Sequence, residues 1–117
     1  LSLTEVVDCK MHIAKMRLNL GENRRALDVS LSAVRLLPPS PEVCCVVGDC
    51  FRQCQQMTTA VGWYLLATRA EYSGGFAYDY YRRYYPYMRL SEVFSFLGDD
   101  GQSAYYASCA ELYVEKR

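Results

Sequence analysis

An internal repeat of 34 residues is the feature that most restricts how this chain folds. When its first two copies are aligned without a gap, Ala26 falls on Ala60 and Ala33 falls on Ala67. A fixed period of about 20 to 50 residues is typical of repeat proteins, in which each copy is one supersecondary unit that buries its apolar face against the next. We therefore expect a single domain, residues 1–117, with copies at 7–40, 41–74 and 84–117 and an aromatic insertion at 75–83.

Helix signals recur along the chain. Ser2 followed by Glu5 fits a capping box at a helix start. Gly21 is placed to end that helix, because glycine readily adopts the left-handed conformation found at helix C-termini. Ser40-Pro41 combines a capping hydroxyl with a proline suited to the first turn. We expect six helices, with further boundaries at Pro38-Pro39, about Gln55, Thr58 or Thr59, Ser73, Pro86, Leu97, and a cap at Asp99 or Asp100.

Composition argues against several classes of function. Lysine and arginine number 13, aspartate and glutamate also number 13, and the formal net charge is zero. Binding to nucleic acid or to an anionic membrane needs an excess of basic residues, so we expect neither partner. No apolar run approaches the roughly 20 residues of a membrane span. The chain opens on Leu1 rather than Met, which leads us to expect a piece of a longer protein.

The six cysteines do not form a recognisable metal or disulfide pattern. No CxxC pair occurs, and His12 is the only histidine, so the usual zinc spacings are missing. We therefore expect free thiols in a reducing cytoplasm, with no metal, no cofactor and no catalytic residue in this chain.

The repeated positions hold the residue types that close helix crossings require, because small side chains let two helix backbones approach. At the crossings they are Ala14, Ala26 and Ala33 in the first copy, Gly48, Ala60 and Ala67 in the second, and Ser91, Ser103 and Ala110 in the third. The turn position holds Gly21, Gln55 and Gly98, and the proline position after the second helix holds Pro38 in the first copy and Tyr72 in the second. This pattern resembles the tetratricopeptide repeat (TPR). The resemblance implies an all-α fold, a solenoid (α-α superhelix) of three antiparallel helix pairs. The alternative is a generic helical bundle.

A second resemblance rests on short aromatic motifs. They are Gly75-Phe76 followed by Tyr78, then Tyr85-Pro86 followed by Leu90, and then Phe96-Leu97-Gly98-Asp99. This order resembles the helical repeat region C-terminal to the catalytic domain of some bacterial family 2 glycosyltransferases. The chemistry of that family belongs to a nucleotide-sugar-binding α/β domain, so the resemblance transfers no catalytic residue to this chain.

In a TPR array the first helix of each pair lines a concave groove, and the register predicts its side chains. The candidate groove residues are Asp8, Met11, Lys15, Leu18 and Asn19 in the first copy, Glu42, Cys45, Asp49, Arg52 and Gln53 in the second, and Tyr85, Met88, Glu92, Ser95 and Phe96 in the third. This mixture suits an extended peptide or a neighbouring domain. The alternatives are a merely solvated surface and a groove filled by a missing part of the parent protein.

The tyrosine-rich segment is the least ordinary part of the chain. Tyrosines can stack on sugars or bases, and arginines can pair with phosphate. The candidate ligand-stacking residues are Tyr78, Tyr80, Tyr81, Arg82, Arg83 and Tyr84. The alternative is a helical insertion whose aromatic rings pack the second copy against the third.

Taken together, these features predict a non-catalytic scaffold or protein-interaction domain, accessory to a larger bacterial glycosyltransferase. Its expected partner is a protein, a peptide or the parent's catalytic domain, and a homodimer of the chain is a further expectation, because uncovered end repeats tend to associate. The competing hypothesis is a helical module that contacts carbohydrate or nucleotide sugar through residues 78–85.

Overall fold

The computed structural model describes residues 1–70 and 79–115, and within these ranges the chain is helical with no strand. The all-α prediction is therefore confirmed for the described residues. Six α-helices lie in these ranges, together with a π-helical segment at Tyr80–Tyr84. The helices are α1 Leu3–Asn19, α2 Asn23–Val34, α3 Pro41–Gln53, α4 Met57–Arg69, α5 Tyr85–Phe96 and α6 Asp100–Glu115.

The predicted helix starts are confirmed by their capping bonds. At α1 the Glu5 N–H donates to the Ser2 hydroxyl at 3.1 Å, and the Ser2 N–H donates to the Glu5 carboxylate at 3.1 Å. Ser40 caps α3 by accepting from the Val43 N–H at 3.3 Å. Of the two candidate caps for α6, Asp99 takes the role by accepting from a backbone N–H at 3.1 Å.

The first helix of each copy ends in the same left-handed turn. Gly21, Gln55 and Gly98 have φ values of +77°, +65° and +83°. In each turn the N–H of the following residue donates to the carbonyl five residues before it, which satisfies a carbonyl that the helix end leaves free. These bonds are Glu22 to Arg17 at 2.8 Å, Gln56 to Phe51 at 2.9 Å and Asp99 to Phe94 at 2.9 Å. Gln55 thus holds the conformation of the two glycines although it is not a glycine.

Three boundaries differ by several residues from the sequence prediction. Helix α2 ends at Val34, four residues before Pro38, because residues 35–37 form a turn. Helix α4 ends at Arg69, four residues before Ser73, because Ala70 is already extended with ψ of 133°. The fifth helix does not begin at Pro86, because the chain is already helical from Tyr80. A proline ring clashes with the carbonyl four residues before it in an α-helix, and the wider π turn ahead of Pro86 relieves that crowding.

Helices α1 and α2, α3 and α4, and α5 and α6 pack as pairs, and each pair packs on the next. The crossings are tight where the register predicted small residues. Gly48 lies against the ring of the fully buried Tyr64, and a Cβ at residue 48 would be 2.7 Å from the Tyr64 Cε1 atom. In the third pair the hydroxyls of Ser91 and Ser103 each donate to the other residue's carbonyl at 2.9 Å. These contacts fix the spacing within the second and third pairs.

The core is built between the pairs as well as within them. One cluster joins the first two pairs around Met11, Leu27 and Val47, and a second joins the last two around Tyr64 and Leu90. All six cysteines are free thiols.

Candidate functional site

A pocket of about 390 Å³ lies where α1 and α3 meet the π segment and the start of α5. All three copies therefore contribute to it, although they are far apart in sequence. The lining residues are Lys15, Leu18, Asn19, Cys45, Val46, Asp49, Arg52, Gln53, Tyr81, Tyr85 and Arg89.

Asp49 is the polar centre of this pocket, with a side chain only 14% exposed. Its Oδ2 atom accepts from the Tyr85 hydroxyl at 2.6 Å, and its Oδ1 atom accepts from the Tyr64 hydroxyl. Arg89 Nε lies 3.5 Å and Arg52 Nη2 lies 3.8 Å from Oδ1. A carboxylate so nearly buried is tolerated only when donors and cations compensate its lost hydration. Asp49 thereby ties α3 to α4 and α5.

The ionisable groups around Asp49 favour a binding role over covalent chemistry. Burial, and then the neighbouring Asp49 charge, raises the pKa of Tyr64 and of Tyr85, so both remain hydroxyl donors at neutral pH. Burial also raises the pKa of the Cys45 thiol, which donates to the Tyr81 carbonyl at 3.4 Å. A protonated thiol is a poor nucleophile, so Cys45 is not suited to attack a bound ligand.

The two aromatic rings that line the pocket each lie beside a cation. Lys15 Nζ is 5.5 Å from the Tyr81 ring centroid and 2.6 Å from Glu42 Oε2. Partial burial alone would lower the pKa of Lys15, but the hydrogen bond and charge of Glu42 outweigh it and the pKa is raised. The Arg89 guanidinium lies 5.1 Å from the Tyr85 ring centroid. One face of each ring is therefore already covered by a cation.

The structure brings together eight of the fifteen candidate groove residues in this one pocket. They are Lys15, Leu18, Asn19, Cys45, Asp49, Arg52, Gln53 and Tyr85.

The other seven candidates lie elsewhere. Glu42 is at the edge, bonded to Lys15. Met88 and Glu92 line a separate groove between α5 and α6. Met11 is 3% exposed and belongs to the core, because α3 packs over this face of α1. Asp8, Ser95 and Phe96 are exposed and line neither cavity.

The tyrosine-rich segment packs mainly against the protein itself. Tyr80 stacks on Tyr84 with ring centroids 5.5 Å apart, and Tyr84 lies 5.9 Å from the ring of Tyr113. Of the six candidate ligand-stacking residues, only Tyr81 lines the pocket. Arg82 Nε donates to the Thr68 carbonyl at 3.3 Å, and Arg83 Nε lies 3.9 Å from Asp79. Tyr78 lies outside the described residues.

Sequence reasoning missed two contributors to the pocket, Val46 and Arg89. Arg89 lies four residues after Tyr85, so both side chains project from the same face of α5. That spacing was a usable signal. Val46 directly follows Cys45 and stands at the same register as Arg89, and it lines the pocket while also packing in the core.

Two further observations concern the described part of the chain as a whole. Within residues 1–70 and 79–115, no three His, Cys, Asp or Glu side chains are grouped to hold a metal ion. No helix in these ranges has the length and apolar character needed to cross a lipid bilayer.

The chain matches no protein-family model, no curated protein and no solved structure.

Proposed function

We propose that this chain is a TPR-like helical scaffold that binds an extended segment of a partner protein in the pocket around Asp49. The recurrence of one left-handed turn at Gly21, Gln55 and Gly98 supports the repeat arrangement. Left-handed turns end many helices in any helical protein, so the support comes from their recurrence at one register of the three copies.

Two rim amides are the observation that carries the binding proposal. Asn19 and Gln53 are exposed, line the pocket and stand 34 positions apart, at the same register of consecutive copies. Within the described residues neither side-chain amide bonds to another protein group. Each amide offers both a donor and an acceptor, which match the C=O and N–H of an extended peptide backbone. Consecutive copies therefore present consecutive contacts to one strand.

The charge balance of the pocket favours a neutral polar segment. Lys15 lies 2.6 Å from Glu42, Arg52 lies 3.8 Å from Asp49, and Arg89 lies 2.8 Å from a third carboxylate, that of Glu92. Each lining cation is thus compensated by an acid. Because little net charge remains, we expect binding to depend weakly on salt concentration, unlike the electrostatic binding of nucleic acid.

Peptide selection on the intact chain tests this proposal. A random peptide library displayed on phage is panned against the protein, and the enriched peptides are titrated by NMR. The enriched peptides should shift the signals of Asn19, Gln53 and Arg52. In the double variant Asn19→Ala/Gln53→Ala their affinity should fall about tenfold, since each lost hydrogen bond costs about 0.5–1.5 kcal/mol.

A matched double variant controls for general loss of surface amides. Gln56 and Gln102 are also exposed but line no part of this pocket, so Gln56→Ala/Gln102→Ala should leave the affinity unchanged. If the enriched peptides map elsewhere, or if the two double variants weaken binding equally, the proposed function is wrong.

The parent glycosyltransferase remains part of the proposal through the aromatic motifs that resemble it. In that case the partner is a catalytic domain of this class. Cross-linking of the chain to such a domain should then join residues around Asn19 and Gln53. A pattern of cross-links that avoids this pocket would argue against it.

The second candidate is contact with carbohydrate or nucleotide sugar, and the observation that favours it is the presence of the Tyr81 and Tyr85 rings in the pocket. The cations beside both rings weigh against it, because they compete for the ring faces. Titration with simple sugars and nucleotide sugars at millimolar concentration separates the two candidates. Shifts at Tyr81 and Tyr85 would support the sugar, and unmoved signals would reject it.

A further inference from the structure

A second cavity, separate from the pocket around Asp49, lies between α5 and α6 and has a volume of about 500 Å³. We call it the C-terminal groove. Its lining residues are Tyr84, Met88, Ser91, Glu92, Ala107, Ala110, Glu111 and Val114. The groove is mostly apolar, and Val114 within it is 56% exposed.

The repeat register relates the C-terminal groove to a surface of the first copy. Each lining residue is 77 positions after a residue of the first copy, in the order Val7, Met11, Ala14, Lys15, Ser30, Ala33, Val34 and Leu37. In the first copy Val7, Met11, Ala14, Ser30 and Ala33 are buried, while Lys15, Val34 and Leu37 remain partly exposed. Val43, Val46 and Cys50 of α3 belong to the same core cluster as Val7, Met11, Ala14 and Ala33. Met11 is accordingly 3% exposed, whereas Met88 at the same register is only half-buried.

The corresponding surface of the second copy is also covered by a helical segment. Cys45 and Ala67 are fully buried there under Tyr81 and Tyr85. In the first and second copies a helical segment therefore fills this groove. In the described residues no helix covers the equivalent C-terminal groove of the third copy.

Each of the two filled grooves has an equivalent polar contact with the helix that fills it. Lys15 of the first copy bonds Glu42 of the second at 2.6 Å. Asp49, at the register of Lys15, accepts from Tyr85 at 2.6 Å, and Tyr85 stands at the register of Glu42. The residue at the groove edge thus selects a complementary residue in the first turn of the incoming helix.

In the C-terminal groove this selecting position holds Glu92, whose side chain is 51% exposed although its Oε2 atom already accepts from Arg89 Nη1 at 2.8 Å. An incoming cation would therefore share this carboxylate with Arg89. Glu111 adds a second carboxylate at the register of Val34. We propose that the C-terminal groove binds an amphipathic α-helix of a partner protein, which presents small or branched apolar side chains on one face and a lysine or arginine in its first turn to pair with Glu92.

The same register disfavours head-to-tail stacking of two copies of this chain. Helix α1 of a second copy would present Asp8 at the position of Glu42, directly toward Glu92. Like charges at that contact oppose the association, which would otherwise extend without closing into a filament. The occupant is therefore a basic helix and not α1 of another copy.

The helix that fills the first groove supplies the test ligand. Two peptides are made from residues 39–55 with their cysteines replaced by alanine, one carrying Glu42→Lys and one retaining Glu42. Each is titrated by NMR into the intact chain and into its Glu92→Lys variant. The lysine peptide should bind the unmodified chain about threefold to fivefold more tightly than the glutamate peptide, and Glu92→Lys should reverse the order, as for a partly exposed ion pair.

A second pair of variants tests the apolar part of the groove. Val114→Lys should weaken the lysine peptide about tenfold, because a buried valine contact is lost. Leu112→Lys is the matched control, since Leu112 is 54% exposed on the same helix but does not line the groove. It should leave the affinity unchanged.

The outcomes against this proposal are distinct from those against the pocket around Asp49. Equal affinities of both peptides for both forms of the chain would overturn it, as would the absence of any shift in the groove. A dimer whose strength does not depend on Glu92 would assign the groove to a second copy instead. Asn19→Ala/Gln53→Ala, which should weaken peptide binding at the first pocket, should leave binding in the C-terminal groove intact.

Discussion

Replacing Gly48 by alanine should reveal how tightly the second helix pair is packed. The new Cβ would be 2.7 Å from Tyr64 Cε1, a separation at which one of the groups must move. The ring cannot move freely, because it is fully buried and its hydroxyl is bonded to Asp49 and, at 3.3 Å, to Arg52. Gly48→Ala therefore strains the crossing and the pocket together.

The expected magnitude follows from two opposing terms. Alanine gains about 1 kcal/mol over glycine within a helix. Overpacking of a well-filled core costs about 1–3 kcal/mol, and the pinned ring places this site near the upper end. We expect Gly48→Ala to lower the free energy of unfolding by about 2 kcal/mol, measured by urea denaturation.

Gly62 provides the matched control for this prediction. It also lies inside a helix, α4, but an added Cβ there meets no atom within 4 Å. Gly62→Ala should therefore raise the free energy of unfolding by about 0.5–1 kcal/mol. If Gly48→Ala stabilised the protein as much as Gly62→Ala, the contact between Gly48 and Tyr64 would not limit the packing, and the reasoning would be refuted.

Gln55→Gly should raise the free energy of unfolding by about 1 kcal/mol, because Gln55 holds φ of +65°, which glycine adopts without a steric penalty. Gly21→Gln, at the equivalent turn of the first copy, should lower the free energy of unfolding by a similar amount. If urea denaturation showed no gain for Gln55→Gly, the prediction would be wrong. Burial raises the pKa of Cys44 to about 12 and of Cys50 to about 11, so at pH 8 roughly one thiol in a thousand or fewer is ionised at either site. Mass spectrometry after brief iodoacetamide treatment should find the exposed Cys9 modified first. If Cys50 were labelled as fast as Cys9, the Cys50 thiol would not be buried.

The helices and the small-residue crossings could be read from local sequence, because caps, turns and close approaches each depend on one or a few neighbouring residues. Ser2, Ser40 and Gly21 act where their types predict. Gln55 is the exception: the register identified its position, but only the backbone conformation showed that a non-glycine residue adopts the same turn.

The candidate site was predicted less completely, since a periodic register says which face a residue is on but not what covers that face. Met11 was assigned to an open groove, yet α3 buries it. The tyrosine-rich segment left both stacking on a ligand and internal packing open, and in the structure most of its rings contact one another.

Local sequence was enough to predict the helical class, the 34-residue register and the crossing positions, because these depend on chemistry repeated along the chain. Only the tertiary structure decided that Asp49 joins Tyr64, Tyr85 and Arg89 in one pocket. The register places Tyr85 opposite Asp49, as it places Glu42 opposite Lys15, but the insertion before the third copy breaks the gap-free period and the register does not show that Tyr64 and Arg89 join the same carboxylate. Their meeting depends on how α5 packs after the π turn.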